Sequence, residues 1–387
     1  MWTSVTGSEP VPRGLINAVF CASLAALLGA CTLPGAGSGL QLRPEADAPA
    51  PDPVPDPAPG PVLDLAPGPV TTSPWIMATA SVSDIGRTAQ FFQEIGGYER
   101  VAGGRLQDGE LSAHGLPPGA AGEALILRAP GSVGGLVRLV RFEDAGARVP
   151  MRPGSRAWDT GCYWSLMVRA QGLDAIYTDA IDLGWWTHTP VTDLDFGGSV
   201  LKVVVFQGPD GLQVQAYERI SPPLEGFTPF QRLSQPFNIM QMSADREAAR
   251  RLMEDVLGFS RFWFGPPYVE QQPTDMPLGI PRDLTTEIPY KAGIFHPVPG
   301  EYGRMEYIEI DGLEGKDFSE RCHAPNLGWL SVTYEVGNAE AARGLIVSRG
   351  GEIVIDLFTE DRIGVGEVRA FAIRSPDGAL IEFVERL

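Results

Sequence analysis

From residue 75 onward, short apolar runs alternate with segments of helical periodicity. The runs are typical of strands, whereas in the intervening segments apolar residues recur every three or four positions, as in amphipathic helices. Asp84 and Asp245 precede two of these segments and are candidate N-caps. Both segments end at a glycine followed by an aromatic residue, at 97–98 and 258–259. The pattern predicts an α+β fold.

One strand-turn-strand pattern occurs twice, as Pro209-Asp210-Gly211 and as Pro376-Asp377-Gly378, each between two apolar runs. Proline presets φ, aspartate caps the turn and glycine supplies a positive φ, so each copy predicts a β-hairpin. The copies are a whole domain's length apart, and so are the two capped helices, which indicates a duplication. Weaker strand-then-helix patterns at 163–183 and 330–347 bring the number of similar units to four.

Each unit is predicted to contain one strand, one helix and three further strands. The units extend over 75–142, 163–217, 237–310 and 330–384. The segment 262–291, rich in proline, tryptophan and tyrosine, is long enough to be a lid or the rim of a binding site.

This βαβββ order, with an Asp-capped helix ending in Gly-aromatic and a Pro-Asp-Gly hairpin, resembles the vicinal oxygen chelate superfamily, which includes glyoxalase I, extradiol dioxygenases and bleomycin-resistance proteins. The resemblance covers about residues 75–387. It implies four modules paired into two cup-shaped mixed-sheet domains that bind small ligands inside the cups. We expect a first glyoxalase-like domain at 74–221 and a second at 232–387.

The sequence of the N-terminal region indicates that the protein is exported. Residues 15–30 form a short apolar run like a signal-peptide core and end in Leu28-Gly29-Ala30 before Cys31, which resembles a bacterial lipobox. We therefore expect a signal peptide at 1–30, a lipid on Cys31 and a tether at 31–73, where proline and alanine density precludes a core. A non-lipidated signal peptide and an anchor helix are the alternatives. Thr32 after the cysteine is typical of outer-membrane lipoproteins, facing the periplasm or the cell surface.

The composition of the chain limits the classes of molecule that it is expected to bind. The 387 residues carry a net charge of −18 and show no Lys/Arg cluster in the folded part, which argues against nucleic acid. With 44% apolar residues the chain can form a sizeable core. Of four cysteines, Cys162 and Cys322 fall in the folded part; we interpret them as two buried free thiols, with a disulfide as the alternative.

Strand alternation predicts which side chains face the first cup: Gln213, Gln215 and Tyr217 share one face of a closing strand. The family's enzymes usually hold a divalent metal with His, Gln or Glu on the first and last strands of the paired units. In the first domain those positions fall on Met77, Tyr163, near Arg138 and on Gln215, so the resemblance predicts no metal there. Neutral polar groups beside aromatic rings suit a neutral or aromatic ligand.

In the second domain the last-strand positions fall on Glu306 and Glu382, and the first-strand positions on Asn238 and Ser331. A Glu pair without histidine is a weak candidate Mg²⁺ or Ca²⁺ site; the alternative is that both carboxylates are solvated or hydrogen-bonded inside a wet cup. His296 ends a strand and is a candidate partner of Glu306 in acid-base chemistry.

The leading hypothesis is a lipid-anchored envelope protein that binds a small molecule without a metal or other cofactor; whether it is an enzyme stays open. One alternative is a divalent-metal-dependent lyase, isomerase or dioxygenase that uses the second domain. Another is a non-catalytic envelope scaffold. The predicted ligand-binding residues are Met77, Tyr163, Gln213, Gln215, Tyr217, Asn238 and His296.

Overall fold

The computed structural model describes residues 68–154, 156–195 and 199–387. The predicted α+β class is confirmed: four βαβββ units form two mixed sheets of eight and nine strands. The signal peptide, Cys31 and the tether up to residue 67 lie outside the described residues.

The strands and helices of the first two units have the following bounds. The first unit contains β1 (Trp75–Ser81), α1 (Ile85–Gln90, continued by a π-helical turn, Phe91–Ile95), β2 (Glu99–Arg105), α2 (Asp108–Ala113), β3 (Ala121–Arg128) and β4 (Leu136–Glu143). The second contains β5 (Tyr163–Arg169), α3 (Leu173–Asp182), β6 (Trp186–Thr187), β7 (Thr192–Asp195), β8 (Val200–Gln207), a 3₁₀ turn (Pro209–Gly211) and β9 (Gln213–Ser221).

The other two units repeat this order. The third contains β10 (Asn238–Met242), α4 (Arg246–Arg250, continued by a π-helical turn, Arg251–Val256), β11 (Ser260–Phe264), a 3₁₀ turn (Arg282–Leu284), β12 (Tyr290–His296) and β13 (Arg304–Ile310). The fourth follows a 3₁₀ turn (Ser319–Arg321) and contains β14 (Gly328–Glu335), α5 (Ala339–Ser348), β15 (Ile353–Arg362), β16 (Gly366–Arg374) and β17 (Leu380–Arg386).

Local signals explain where these elements begin and turn. The predicted N-caps are confirmed, because the Asp84 carboxylate accepts from the Arg87 N–H and the Asp245 carboxylate from the Ala248 N–H. Both predicted hairpins form, β8 with β9 and β16 with β17. In the first turn Asp210 and Gly211 both adopt positive φ, so this turn uses aspartate as well as glycine in the left-handed region.

The pairing of units differs from the expectation that 74–221 and 232–387 each close one cup. One sheet has the order β15-β16-β17-β14-β1-β4-β3-β2 and joins the first unit to the fourth. The other has the order β11-β12-β13-β10-β5-β9-β8-β6, with β7 on β8, and joins the second unit to the third. The central contacts are antiparallel, β1 with β14 and β5 with β10. All four first strands are buried along nearly their whole length and combine apolar residues with a few polar ones, so the sequence pattern does not distinguish their partners. We call the two concave interiors the 1–4 cup and the 2–3 cup.

The largest core cluster contains residues from both sheets and from the helices. Alternation sends Leu166 and Val168 of β5, and Val332 and Tyr334 of β14, into this shared core. Their neighbours on the opposite faces of the strands are thereby left to line the two cups.

Cys162 and Cys322 form a disulfide, with their Cα atoms 5.2 Å apart, which corrects the expectation of two free thiols. Cys162 directly precedes β5, and Cys322 follows the 3₁₀ turn Ser319–Arg321 in the segment that leads to β14, so the bond connects the two halves of the fold. The unit pairing explains the error: residues separated by 160 positions become neighbours only when the sheets pack together.

The end of the predicted tether belongs to the folded region. The Val70 N–H donates to the Leu257 carbonyl and the Thr71 hydroxyl to the Glu335 carbonyl. Order therefore begins several residues before 74. Among the described residues, none of the helices is long and apolar enough to span a membrane.

Candidate functional site

The 2–3 cup contains a cavity of about 50 Å³, room for a few water molecules. Its strand-borne wall includes Gln215 and Tyr217 of β9, Met240 of β10 and Glu306 of β13. The long segment predicted to be a lid or rim supplies Glu270, Met276, Pro277 and Leu278. This segment therefore forms part of the cavity wall.

The strands on either side of the central pair place three polar side chains in this cavity. Gln215, Tyr217 and Glu306 are all buried, and they come from β9 and β13, which flank the central pair β5 and β10. The Asn238 side-chain amide donates to Glu306 Oε2 at 2.8 Å. Around them the wall is apolar, with Val203, Met240 and Ile308 on the strands. The arrangement provides fixed hydrogen-bonding groups inside an otherwise apolar enclosure.

Glu306 is a protonated acid at neutral pH. Burial raises its pKa from 4.5 to about 8, because the Asn238 hydrogen bond and the charge of Arg304 offset only part of the lost hydration. A protonated carboxyl group donates as well as accepts a hydrogen bond. Because burial also raises the pKa of Tyr217, the phenol stays neutral. Gln215, Tyr217 and Glu306 are therefore uncharged at neutral pH. Glu270, a further polar residue of the wall, accepts a hydrogen bond from the Tyr268 hydroxyl, and burial raises its pKa as well.

The 1–4 cup is filled by ion pairs instead. Helix α2 crosses it, and Glu110 on that helix accepts two hydrogen bonds from the Arg138 guanidinium of β4, at 2.5 and 2.8 Å. Glu382 of β17 accepts from the Thr333 hydroxyl at 2.9 Å and from Arg362 at 3.3 Å. Arg362 also donates to Glu360 at 2.6 Å.

His114, at the end of α2, completes this ionic cluster. Its Nε2 lies 3.7 Å from Glu382 Oε1, and both side chains are buried. Burial lowers the pKa of His114 in spite of the nearby carboxylates, so the imidazole is neutral. Burial alone would raise the pKa of Glu382, but the charge of Arg362 brings it below its ordinary value. Each charged side chain of the cluster has an oppositely charged or hydrogen-bonded neighbour, and the contacts of Glu110 and His114 hold α2 in the cup.

The structure separates the residues predicted to bind ligand or metal. Glu306 and Glu382 lie in different sheets, so they do not form the expected pair. Met77 is buried in β1 of the other sheet. Tyr163 is in the core shared by the sheets, where its hydroxyl donates to the Leu380 carbonyl. These residues lie apart because the first unit shares a sheet with the fourth, and the second unit shares a sheet with the third.

The remaining predicted residues lie in or beside the 2–3 cup. Gln215 and Tyr217 line its cavity, and Asn238 reaches it through Glu306. The Gln213 side-chain amide donates to the Trp164 carbonyl instead. His296 lies at the end of β12 near Arg304, with its ring packed against Phe262, and it does not contribute to the wall of this cavity.

Sequence reasoning missed the cluster in the 1–4 cup and part of the wall of the 2–3 cup. Arg138 interrupts an otherwise apolar run of β4, and Glu110 and His114 are four positions apart, so a helix would place them on one face. Those two signals indicate a buried ionic contact, although neither identifies its partners. Met276 and Leu278 carried no comparable signal, because a loop has no periodicity that shows which side chains face inward.

The residues present fit a divalent metal poorly in either cup. In the 2–3 cup the cavity offers the carboxyl groups of Glu270 and Glu306 and the carboxamide of Gln215, with the soft thioethers of Met167 and Met240 on the neighbouring strands. Ca²⁺ takes six to eight oxygen ligands, and Mg²⁺ takes an octahedral set that includes several waters. In the 1–4 cup, Glu110 and Glu382 are already bound to arginines. Among the described residues, three or more His, Cys, Asp or Glu side chains nowhere converge as a metal site would require.

The fold is similar to that of glyoxalase I. The structure of glyoxalase I from Zea mays superposes with a TM-score of 0.54 at 13% identity, covering 81% of this chain and 92% of the maize chain. Two variants of the maize enzyme give TM-scores of 0.54 and 0.53, at 13% and 14% identity; each covers 81% of this chain, and 94% and 92% of the maize chains. No protein-family model and no curated protein matches the sequence.

Proposed function

We propose that the chain binds a small neutral molecule in the 2–3 cup without a metal ion. The observation that carries this proposal is the cavity wall itself, in which the strands place Gln215, Tyr217 and protonated Glu306 in a largely apolar enclosure. Such a wall favours a ligand with one or two oxygen atoms that accept or donate hydrogen bonds and a compact apolar body.

The groups have distinct roles in this proposal. Glu306, oriented by Asn238, donates to a ligand oxygen, and the Gln215 carboxamide and Tyr217 hydroxyl supply an acceptor or a second donor. Met240 and Met276 contact the apolar part, and their flexible side chains adjust the cavity to its shape. The segment that supplies Met276 and Leu278 covers the bound molecule.

The test uses the purified full chain and a panel of neutral carbonyl and hydroxyl compounds, from acetone to acetophenone, measured by ligand-observed NMR and thermal melting. We expect binding that weakens about tenfold or more in Gln215→Leu and Glu306→Leu, because a buried polar partner is lost. Ser331→Ala is the matched control, since Ser331 is a buried polar residue of the other sheet. Binding that survives both cavity substitutions unchanged would refute the proposal.

The metalloenzyme alternative keeps support from the fold alone, because glyoxalase I shares it. A stoichiometric divalent metal removed by Glu306→Gln would favour that alternative over a binding protein. If the chain is a non-catalytic scaffold, neither a compound of the panel nor a divalent metal should bind to it.

We also propose that Cys31 carries a lipid that anchors the folded region to the bacterial envelope, at the outer membrane facing the periplasm or the surface. The lipobox-like residues before Cys31 support this. Membrane fractionation of a bacterial host should find the wild type with the membranes and Cys31→Ala in the soluble fraction or unprocessed. Co-fractionation of Cys31→Ala with the membranes would point to an anchor helix.

A further inference from the structure

A second pocket lies at one end of the 2–3 cup and has an arginine as its most buried polar residue. The pocket has a volume of about 290 Å³. Tyr217 contributes to both this pocket and the central cavity, so it stands between them. Arg169 ends β5 and Arg219 lies beside it on β9, and both line the pocket. The rest of the wall is mainly apolar and includes Ile220, Pro223, Leu224 and Phe230.

Arg169 is only 2% exposed, yet its Nε, Nη1 and Nη2 atoms make no hydrogen bond to any described residue. Its guanidinium carbon lies 3.9 Å from the ring centre of Phe227 and 4.3 Å from that of Phe237. A ring at this distance contacts the face of the guanidinium group. The N–H groups lie in the guanidinium plane, so the rings leave them available to a ligand.

The charges near Arg169 favour an anion. Burial lowers its pKa to about 9, and the neighbouring arginines Arg304 and Arg219 act in the same direction, while Glu301 opposes them. Glu301 is itself bound by Thr228, whose N–H and hydroxyl both donate to it at 3.0 Å. Arg169 makes no hydrogen bond to Glu301, and a buried cation without a hydrogen-bonded anionic partner is costly.

We propose that this pocket binds a small organic carboxylate, with its carboxylate group on the Arg169 guanidinium and its apolar body against the wall formed by Ile220, Leu224 and Phe230. Arg169 presents donors in the planar arrangement that matches a carboxylate. The apolar wall favours an aryl or short alkyl carboxylate over a hydrated inorganic anion. This site is separate from the neutral cavity and goes beyond the function proposed above.

The experiment is a titration of the full chain with benzoate, followed by isothermal calorimetry and ligand-observed NMR. Benzamide, which has the same shape without the charge, and inorganic phosphate are run in parallel. We expect benzoate to bind about tenfold or more tightly than either, and its affinity to fall as NaCl is raised. If benzamide bound as tightly as benzoate, the pocket would not be an anion site. If phosphate bound more tightly than benzoate, the ligand would not be an organic carboxylate.

Substitutions then locate the site. Arg169→Met should weaken benzoate binding about tenfold or more, and Arg169→Lys should retain part of it. Arg87→Met is the matched control, because Arg87 is an exposed arginine on α1 and its loss changes the net charge equally. Gln215→Leu should leave benzoate binding intact. Unchanged binding in Arg169→Met would overturn the proposal, and the comparison of benzoate with benzamide decides it on the wild type if that variant does not fold.

Discussion

The two cups have the same βαβββ architecture but opposite interiors. In the 1–4 cup, helix α2 brings Glu110 and His114 onto Arg138, Arg362 and Glu382, and the charges satisfy one another. In the 2–3 cup a long loop forms the rim of a cavity with uncharged polar groups. The difference arises from what covers each sheet. A helix with acidic and imidazole side chains fills one cup, whereas a loop with Met276 and Leu278 leaves space in the other.

This contrast separates stability from binding. Interactions that hold α2 in place stabilise the fold and leave few donors for a ligand, whereas the buried Glu306 of the 2–3 cup is held by one amide and faces a cavity. Buried polar groups that are only partly satisfied are costly to the fold and are therefore candidates for function. Substitutions in the two cups should accordingly affect different properties.

The largest effect is expected from Arg138→Met in the 1–4 cup. It leaves Glu110 buried without its bidentate partner, and breaking a buried pair in this way costs about 3–5 kcal/mol. Chemical denaturation of the variant at neutral pH measures this loss in the free energy of unfolding.

Two further variants test the cause of that loss. Glu110→Gln combined with Arg138→Met removes both charges and should recover part of the stability. Arg386→Met breaks a surface pair with Glu335, which has a 3.0 Å contact, and should cost less than about 1 kcal/mol. If Arg138→Met were as mild as Arg386→Met, the ionic cluster would not be what holds α2 in the cup.

A feature could be predicted from the sequence when it depends on residues close together in the chain, and it could not when it depends on distant ones. The hairpins and caps depend on neighbouring residues, such as Asp84 with Arg87, and were predicted. Alternation along β9 placed Gln215 and Tyr217 inside a cup correctly. The partner of each unit could not be inferred, because β1, β5, β10 and β14 have similar apolar patterns. The disulfide depends on that pairing, so the interpretation of Cys162 and Cys322 as free thiols was wrong. The separation of Glu306 from Glu382 depends on the same pairing.

The second prediction concerns the pH dependence of the 2–3 cup. Folding raises the pKa of Glu306 from 4.5 to about 8, so the folded state holds a proton that the unfolded state releases between these values. The contribution of Glu306 to stability is therefore present below about pH 4.5 and is lost as the pH rises towards 8. Glu306→Gln should reduce the change in unfolding free energy between pH 4 and pH 9 by about 2–4 kcal/mol. The variant should then be more stable than the wild type at pH 9.

Unfolding free energies between pH 4 and pH 9 measure this difference. Glu247→Gln, an exposed glutamate of α4, is the control and should reproduce the wild-type pH profile. A Glu306→Gln profile that also coincides with the wild type would mean that Glu306 is ionised and hydrated, and the cavity would not be neutral.

The smallest expected effect is that of divalent metals on either cup. Mn²⁺, Ni²⁺, Zn²⁺ or Mg²⁺ at 1 mM should raise the melting temperature of the full chain by only about 1 °C, since a ligand at or below its dissociation constant stabilises by less than about 0.5 kcal/mol. The reason is the donor set, in which Glu270, Glu306 and Gln215 are too few for a hard cation and the carboxylates of the 1–4 cup are bound to arginines. Glu306→Gln and Glu382→Gln tell the cups apart. The opposite outcome is one bound metal ion per chain, with a rise of several degrees in melting temperature that is lost in Glu306→Gln and kept in Glu382→Gln. The 2–3 cup would then be a metal centre, and the contrast between the cups would be between an ionic core and an active site.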